Sequence, residues 1–150
     1  MDWQDSAEIV QILEQTFNAI LQTRMQGVPV LNQALAVEAL GFVRIHAEWT
    51  GILITPWFMN LLLLPTNASE WIANTPGNKF EYAFPYGVFE FTIAHKTQLG
   101  CYAQCSLFSP MFQFQNQDDA RNAAQAAFQA LLTAPKLSRR DLLRGHIGNR

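Results

Sequence analysis

The stretch Trp49-Thr-Gly-Ile-Leu-Ile-Thr-Pro-Trp-Phe-Met-Asn-Leu-Leu-Leu-Leu-Pro65 carries no charged residue, and the uncharged window runs on to Ser69. About 20 apolar residues are enough to cross a bilayer as a helix, so the first alternative to dispose of is a membrane span. Pro56 sits in the middle of the window and Pro65 closes its apolar part. The two pieces that result are too short to span, and we expect no stable membrane insertion. Residues 49–55 and 58–64 read instead as two strands apolar on both faces, as strands in the middle of a covered sheet must be, with Thr55-Pro56-Trp57 as the corner between them.

Working outward, residues 6–26 place Ile9, Ile12, Leu13, Phe17, Ile20, Leu21 and Met25 at intervals of three and four. That is the period of an amphipathic helix, capped by Asp5 or Ser6 and stopped by Gly27-Val-Pro29. Residues 36–45 read as a strand with Val37, Ala39 and Phe42 on its apolar face, although Ala34-Leu-Ala-Val-Glu-Ala-Leu40 is equally compatible with a helical turn. Residues 66–78 are polar, with Pro76-Gly77 as a turn signal and Trp71-Ile72 anchoring a helical turn. A short strand or linker is expected at 80–84. Residues 86–95 alternate, with Gly87, Phe89, Phe91 and Ile93 on one face and Glu90 and Thr92 on the other, and residues 101–108 follow as the second arm of a hairpin. A last helix begins after Asn116, which can cap the amide of Asp119, and buries Ala120, Ala123, Ala124, Ala127, Phe128, Leu131 and Leu132. The pattern is α+β: a single domain, with an antiparallel sheet packed against N- and C-terminal helices.

Composition narrows the function. Of 150 residues, 49% are hydrophobic and only 15% charged, against a usual charged share of about 25%. Eleven Phe and four Trp exceed what a small core easily hides, which points to exposed apolar surface and protein partners. A net charge of -2 argues against a nucleic-acid partner. The charge is unevenly placed. Residues 136–150 hold Lys136, Arg139, Arg140, Arg144 and Arg150 against one acid, Asp141, a net of +4 that leaves -6 on the first 135. The sequence is therefore read as a domain over 1–135 and a basic C-terminal tail over 136–150. Met1-Asp-Trp-Gln-Asp5 has neither the positive start nor the apolar core of a secretory signal, so the cytoplasm is expected, and Asn67-Ala68-Ser69 carries no weight as a glycosylation acceptor.

No catalytic or metal constellation emerges from the spacing. If Cys101 and Cys105 share a strand face, four residues at about 3.3 Å each put them roughly 13 Å apart, beyond the reach of a disulfide or a shared metal. His46, His95 and His146 belong to no ligand motif. Glu48, Glu81 and Glu90 have no His or Ser in a recognisable arrangement and are expected as solvated strand-edge charges. Phosphate-cradling and dinucleotide motifs are absent. Leu137-Ser-Arg-Arg-Asp-Leu-Leu-Arg-Gly145 is similar to a twin-arginine export motif, but at the C-terminus and with no apolar region after it, it reads as a short helix capped by Ser138.

Taken in order, Trp49-Thr-Gly51, Ile54-Thr-Pro-Trp57, Pro85-Tyr-Gly87, Phe91-Thr92, Cys105-Ser-Leu-Phe-Ser-Pro110 and the Arg139-Arg140 tail resemble the HybE/HupJ family of nickel-iron hydrogenase assembly chaperones. The resemblance implies a cytoplasmic chaperone without cofactor or catalysis. Its partners would be the hydrogenase large subunit precursor, the small subunit precursor with its twin-arginine signal, or both, held back from export until assembly. Some relatives carry a fused rubredoxin with CxxC iron ligands, which this chain lacks. Within the motifs, Trp49, Pro56, Trp57, Pro85, Tyr86 and Pro110 are the expected partner-binding residues, with Arg139 and Arg140 as a second patch. The alternatives are a metallocentre or small-ligand carrier in hydrogenase maturation and a small hydrolase.

Overall fold

A computed structural model describes residues 3–135. Its centre is a six-stranded antiparallel sheet with strand order β1-β2-β3-β6-β5-β4, made of β1 (Glu38–Ile45), β2 (Glu48–Ile54), β3 (Met59–Leu64), β4 (Lys79–Phe84), β5 (Gly87–Lys96) and β6 (Gly100–Phe108). Two three-stranded meanders, β1-β2-β3 and β4-β5-β6, are joined edge to edge through β3 and β6. Helices α1 (Ser6–Arg24) and α2 (Gln117–Leu131) cover opposite faces, and a 3-10 turn spans Glu70–Ala73. The expected strand pair is thus β2 and β3, the second flanked on both edges, and the antiparallel α+β architecture is the one expected.

The uncharged stretch has a direct cause: alternate residues of the same two strands feed two separate cores. Ile52, Ile54, Met59, Leu61 and Leu63 pack with Phe91, Ile93 and Ala103 beneath Ala120, Ala124 and Leu131 of α2. Leu53, Leu62 and Leu64 face the other way, against Ile9, Leu13 and Phe17 of α1. Each such side chain contributes about 1.5–3 kcal/mol by leaving water, and a charge on either face would be stranded. Both helices start as the sequence predicts: the Glu8 amide donates to Asp5 at 2.9 Å, and the Asp119 amide to Asn116 at 2.8 Å.

Two glycines shape the sheet. The β1–β2 register shifts between Leu40 and Val43, and this bulge puts Ala39 and Phe42 on the same face despite their odd spacing. Gly41 occupies it with φ +78°, a left-handed conformation open to glycine at little cost, and the Phe128 ring lies 3.3 Å from where a Cβ would stand. At Gly51 the Phe42 ring lies flat on the strand, only 2.5 Å from the position of an added Cβ. The Thr55-Pro56-Trp57 corner is tied locally. The amides of Trp57 and Phe58 donate to Thr55 Oγ1 at 3.2 and 2.9 Å, and Asn32 links the Pro56 carbonyl to the carbonyls of Met111 and Phe114.

The sheet is strongly curled. β1 and β4 are its two edges, yet the Tyr82 hydroxyl of β4 lies 3.1 Å from the Ile45 carbonyl of β1. Helix α2 bridges the same two edges: Arg121 pairs with Glu38 of β1 at 2.9 Å, and the Leu131 carbonyl accepts from the Tyr86 amide at 3.1 Å. Leu132, expected in the buried stripe of α2, is instead 37% exposed, because the helix ends at Leu131 and Leu132 is its C-cap. No helix among the described residues is long and apolar enough to cross a membrane.

Candidate functional site

The register places most of the expected contact residues together. Ile54 pairs with Met59, Met59 with Phe108, and Phe84 with Gly87, while β5 and β6 run antiparallel through Thr92 and Gln104. The corner with Pro56 and Trp57, the β4–β5 turn with Pro85 and Tyr86, and the segment after β6 with Pro110 therefore lie at one end of the sheet. Trp49, paired with Leu64, lies at the other end. There it is half-buried under the Arg44 guanidinium, 5.7 Å from the ring centroid.

At the shared end the residues divide by exposure. Pro56 is buried, so it shapes the corner. Trp57 is half-buried, edge-on to Phe58 at 5.5 Å, which in turn meets Phe17 of α1 at 5.9 Å. Pro85 and Pro110 are exposed, the latter after a cis peptide bond. Tyr86 is 53% exposed, Val88 61% and Phe112 58%, the three most exposed large apolar side chains among the described residues. Their burial elsewhere in the chain would be favourable; here the backbone presents them. Phe108 and Phe114, edge to face at 5.2 Å, and the buried Met111 hold the segment that carries Phe112. Val88 was missed in the sequence, but the signal was there: it shares the parity of Glu90 and Thr92, so an apolar residue stands on a polar strand face. Arg139 and Arg140 lie outside the described residues.

Glu48 requires a correction. It is not a solvated strand-edge charge: it is 4% exposed and accepts three hydrogen bonds. Ser69 Oγ and Trp71 Nε1 donate to one oxygen at 2.5 and 3.2 Å, and the Tyr82 hydroxyl to the other at 2.8 Å. Burial, then the hydrogen bond and charge of Glu48, push the Tyr82 phenol well above its ordinary range. With its oxygens engaged by three donors, this carboxylate is a clasp that ties β2 to the 3-10 turn and to the edge strand β4, and not a base awaiting a substrate. Glu81 and Glu90 do face solvent, opposite one another on β4 and β5.

Cys101 and Cys105 are free and half-buried on the α2 side of β6. Burial raises both thiols, and the charge of Glu90 adds to the shift at Cys105, so neither has the lowered pKa of a reactive cysteine. No group of three His, Cys, Asp or Glu side chains is placed to hold a metal among the described residues.

The fold that presents these side chains is shared with known proteins. The solution structure of HybE from Escherichia coli matches with a TM-score of 0.67, over 93% of this chain and 89% of that one, at 24% identity, so the fold is common to both. The chain is 39% identical over 154 residues to the hydrogenase expression/formation protein HupJ of Bradyrhizobium diazoefficiens, covering 93% of this chain and 89% of that protein. It is 36% identical over 132 residues to a probable rubredoxin HupJ of Rhodobacter capsulatus, covering 88% of this chain but only 48% of that longer protein. Residues 8–145 match the family described as NiFe-hydrogenase assembly, chaperone, HybE. The chain belongs to the HybE family of nickel-iron hydrogenase assembly chaperones.

Proposed function

We propose that the protein binds nickel-iron hydrogenase precursor subunits, large or signal-bearing small, through the end of the sheet that carries Trp57, Pro85, Tyr86 and Pro110, and delays their export until assembly. The observation that carries this is the set of exposed apolar side chains, Tyr86, Val88 and Phe112, presented at one end of the sheet on backbone held by the β4–β5 pairing, the α2 contact and the packing of Met111 and Phe114. Apolar side chains presented on a rigid frame lose little entropy when a partner covers them. In this reading the protein is a holder working in the cytoplasm, without catalysis or cofactor. The domain over 1–135 supplies the main contact, and Arg139 and Arg140 of the tail supply a second patch. Trp49, half-buried beside Arg44 at the other end of the sheet, lies outside this patch and would be a separate contact.

Capture of tagged precursor subunits by purified protein tests this. Tyr86→Asp and Phe112→Asp should each weaken capture roughly thirtyfold, the equivalent of about 2 kcal/mol for a central interface residue, and leave melting unchanged because both side chains are already solvated. Undiminished capture by the double variant would refute the assignment.

A further inference from the structure

A groove lies on the α1 face, at the opposite end of the sheet from Tyr86 and Phe112, between the C-terminal half of α1 and the turn joining β5 to β6. It has a volume of about 410 Å³. Arg24 comes from the helix, and His95 and Lys96 from the end of β5; no Asp or Glu lines it. In a domain where acids outnumber bases, this is unusual. Among the described residues the other cations are engaged: Lys79 with Glu90, Arg121 with Glu38 and Asp118, and Arg44 with the Trp49 ring. Arg24 and Lys96 have no carboxylate partner there, and both converge on this one groove. Thr16 also lines it. That side chain is 5% exposed, and its hydroxyl has no hydrogen-bond partner, whereas the neighbouring Thr23 hydroxyl donates to the Ala19 carbonyl at 2.7 Å.

We propose that this groove is a docking site for an acidic segment of a polypeptide partner, distinct from the apolar end and independent of it. Carboxylate side chains of the segment lie between Arg24 and Lys96 and accept charge-assisted hydrogen bonds from both. His95 and the Thr97 hydroxyl donate at the rim, while Ile20 and Ala19 give an aliphatic wall for the stems. The groove has room for a peptide segment, since a water takes about 30 Å³ and the groove holds many times that. Charge selects an acidic segment over the basic sequence of an export signal, which would meet two uncompensated cations. The protein thus presents two chemically different surfaces, one apolar and one cationic, at opposite ends of one sheet.

The test uses the full chain and a fluorescein-labelled octapeptide of alternating Glu and Ala, with a Lys and Ala octapeptide as its counterpart, read by fluorescence anisotropy. The glutamate peptide should bind and the lysine peptide should not, and raising salt to about 1 M, where charges are screened within about 3 Å, should weaken binding roughly tenfold or more. Arg24→Ser with Lys96→Ser should weaken it by a similar factor, while Lys79→Ser, away from the groove, leaves it unchanged. Melting curves confirm that the variants are folded. Equal binding by the double variant, or equal binding of both peptides, would overturn the proposal. So would displacement of the peptide by inorganic phosphate at equal concentration, which would make the groove a small-anion site. Self-association of the wild type that the double variant abolishes in sedimentation would replace the foreign segment by a second copy of this chain.

Discussion

Replacing Glu48 separates two ideas about what closes the curled sheet, apolar packing or a satisfied carboxylate. In Glu48→Leu the shape is nearly kept, but Ser69 and Trp71 lose the oxygen to which both donate. A buried donor without an acceptor costs about 1–3 kcal/mol, so two of them cost about 3 kcal/mol after the gain of an apolar side chain is set against them. The Tyr82 hydroxyl is spared, because the Ile45 carbonyl at 3.1 Å can take its proton instead. Glu48→Gln should be much milder. Its carbonyl oxygen can serve Ser69 and Trp71, and its amide can donate to the Tyr82 oxygen once that hydroxyl has turned to Ile45. What is lost is the charge assistance, about 1 kcal/mol. For a domain of this size a loss of 1 kcal/mol lowers the melting temperature by about 2–4 °C, so the leucine variant should melt about 6–12 °C lower and the glutamine variant about 2–4 °C lower. Urea unfolding at neutral pH gives the energies directly. A leucine variant as stable as the parent, or a glutamine variant as damaged as the leucine one, would show that the donors do not depend on Glu48.

Gly51→Ala drives a methyl into the Phe42 ring at 2.5 Å and should cost about 1–3 kcal/mol in urea unfolding, most of it recovered by adding Phe42→Leu, which leaves room for the methyl. At alkaline pH two phenols matter: burial raises Tyr102 to about 12, and Tyr82 is raised further still. Both raised values mean that the folded state holds its protons more tightly, so stability is intact below the ordinary tyrosine value near 10 and falls as pH climbs through 12. Tyr82→Phe should make that fall shallower in a pH series of melting curves, and an unchanged slope would contradict it. The thiols of Cys101 and Cys105 should react with iodoacetamide at pH 8 at least about tenfold more slowly than in the urea-unfolded chain. Rapid native labelling would show that β6 opens.

Local pattern carried most of the architecture. The caps at Asp5 and Asn116, the alternation through Phe89, Phe91 and Ile93, and the apolar strands around Leu53 and Leu62 each depend on residues close in sequence, and each could be read there. Glu48 could not, because its burial depends on Ser69 and Trp71 from the β3–β4 connection and on Tyr82 from the far edge of the sheet, and nothing in Ala47-Glu48-Trp49 announces a curl. The exposure of the proposed contact residues was half legible. Motif resemblance singled out Pro56 and Tyr86 alike, but only the packing shows that the first is buried and the second exposed. Arg24 and Lys96 were invisible as a pair, since the groove that unites them is formed by a helix and a hairpin turn from opposite halves of the chain.

The junction between the two meanders also has a consequence in time. β3 pairs with β6, so during synthesis the edge of β3 waits for about forty further residues before its partner exists, a few seconds at about 5–20 residues per second. Through that interval β2 and β3 are apolar on both faces, with α2 not yet made to cover the core layer on its side. The first half of this chaperone therefore emerges from the ribosome as an unfinished sheet, as dependent on prompt completion as a precursor awaiting its partner.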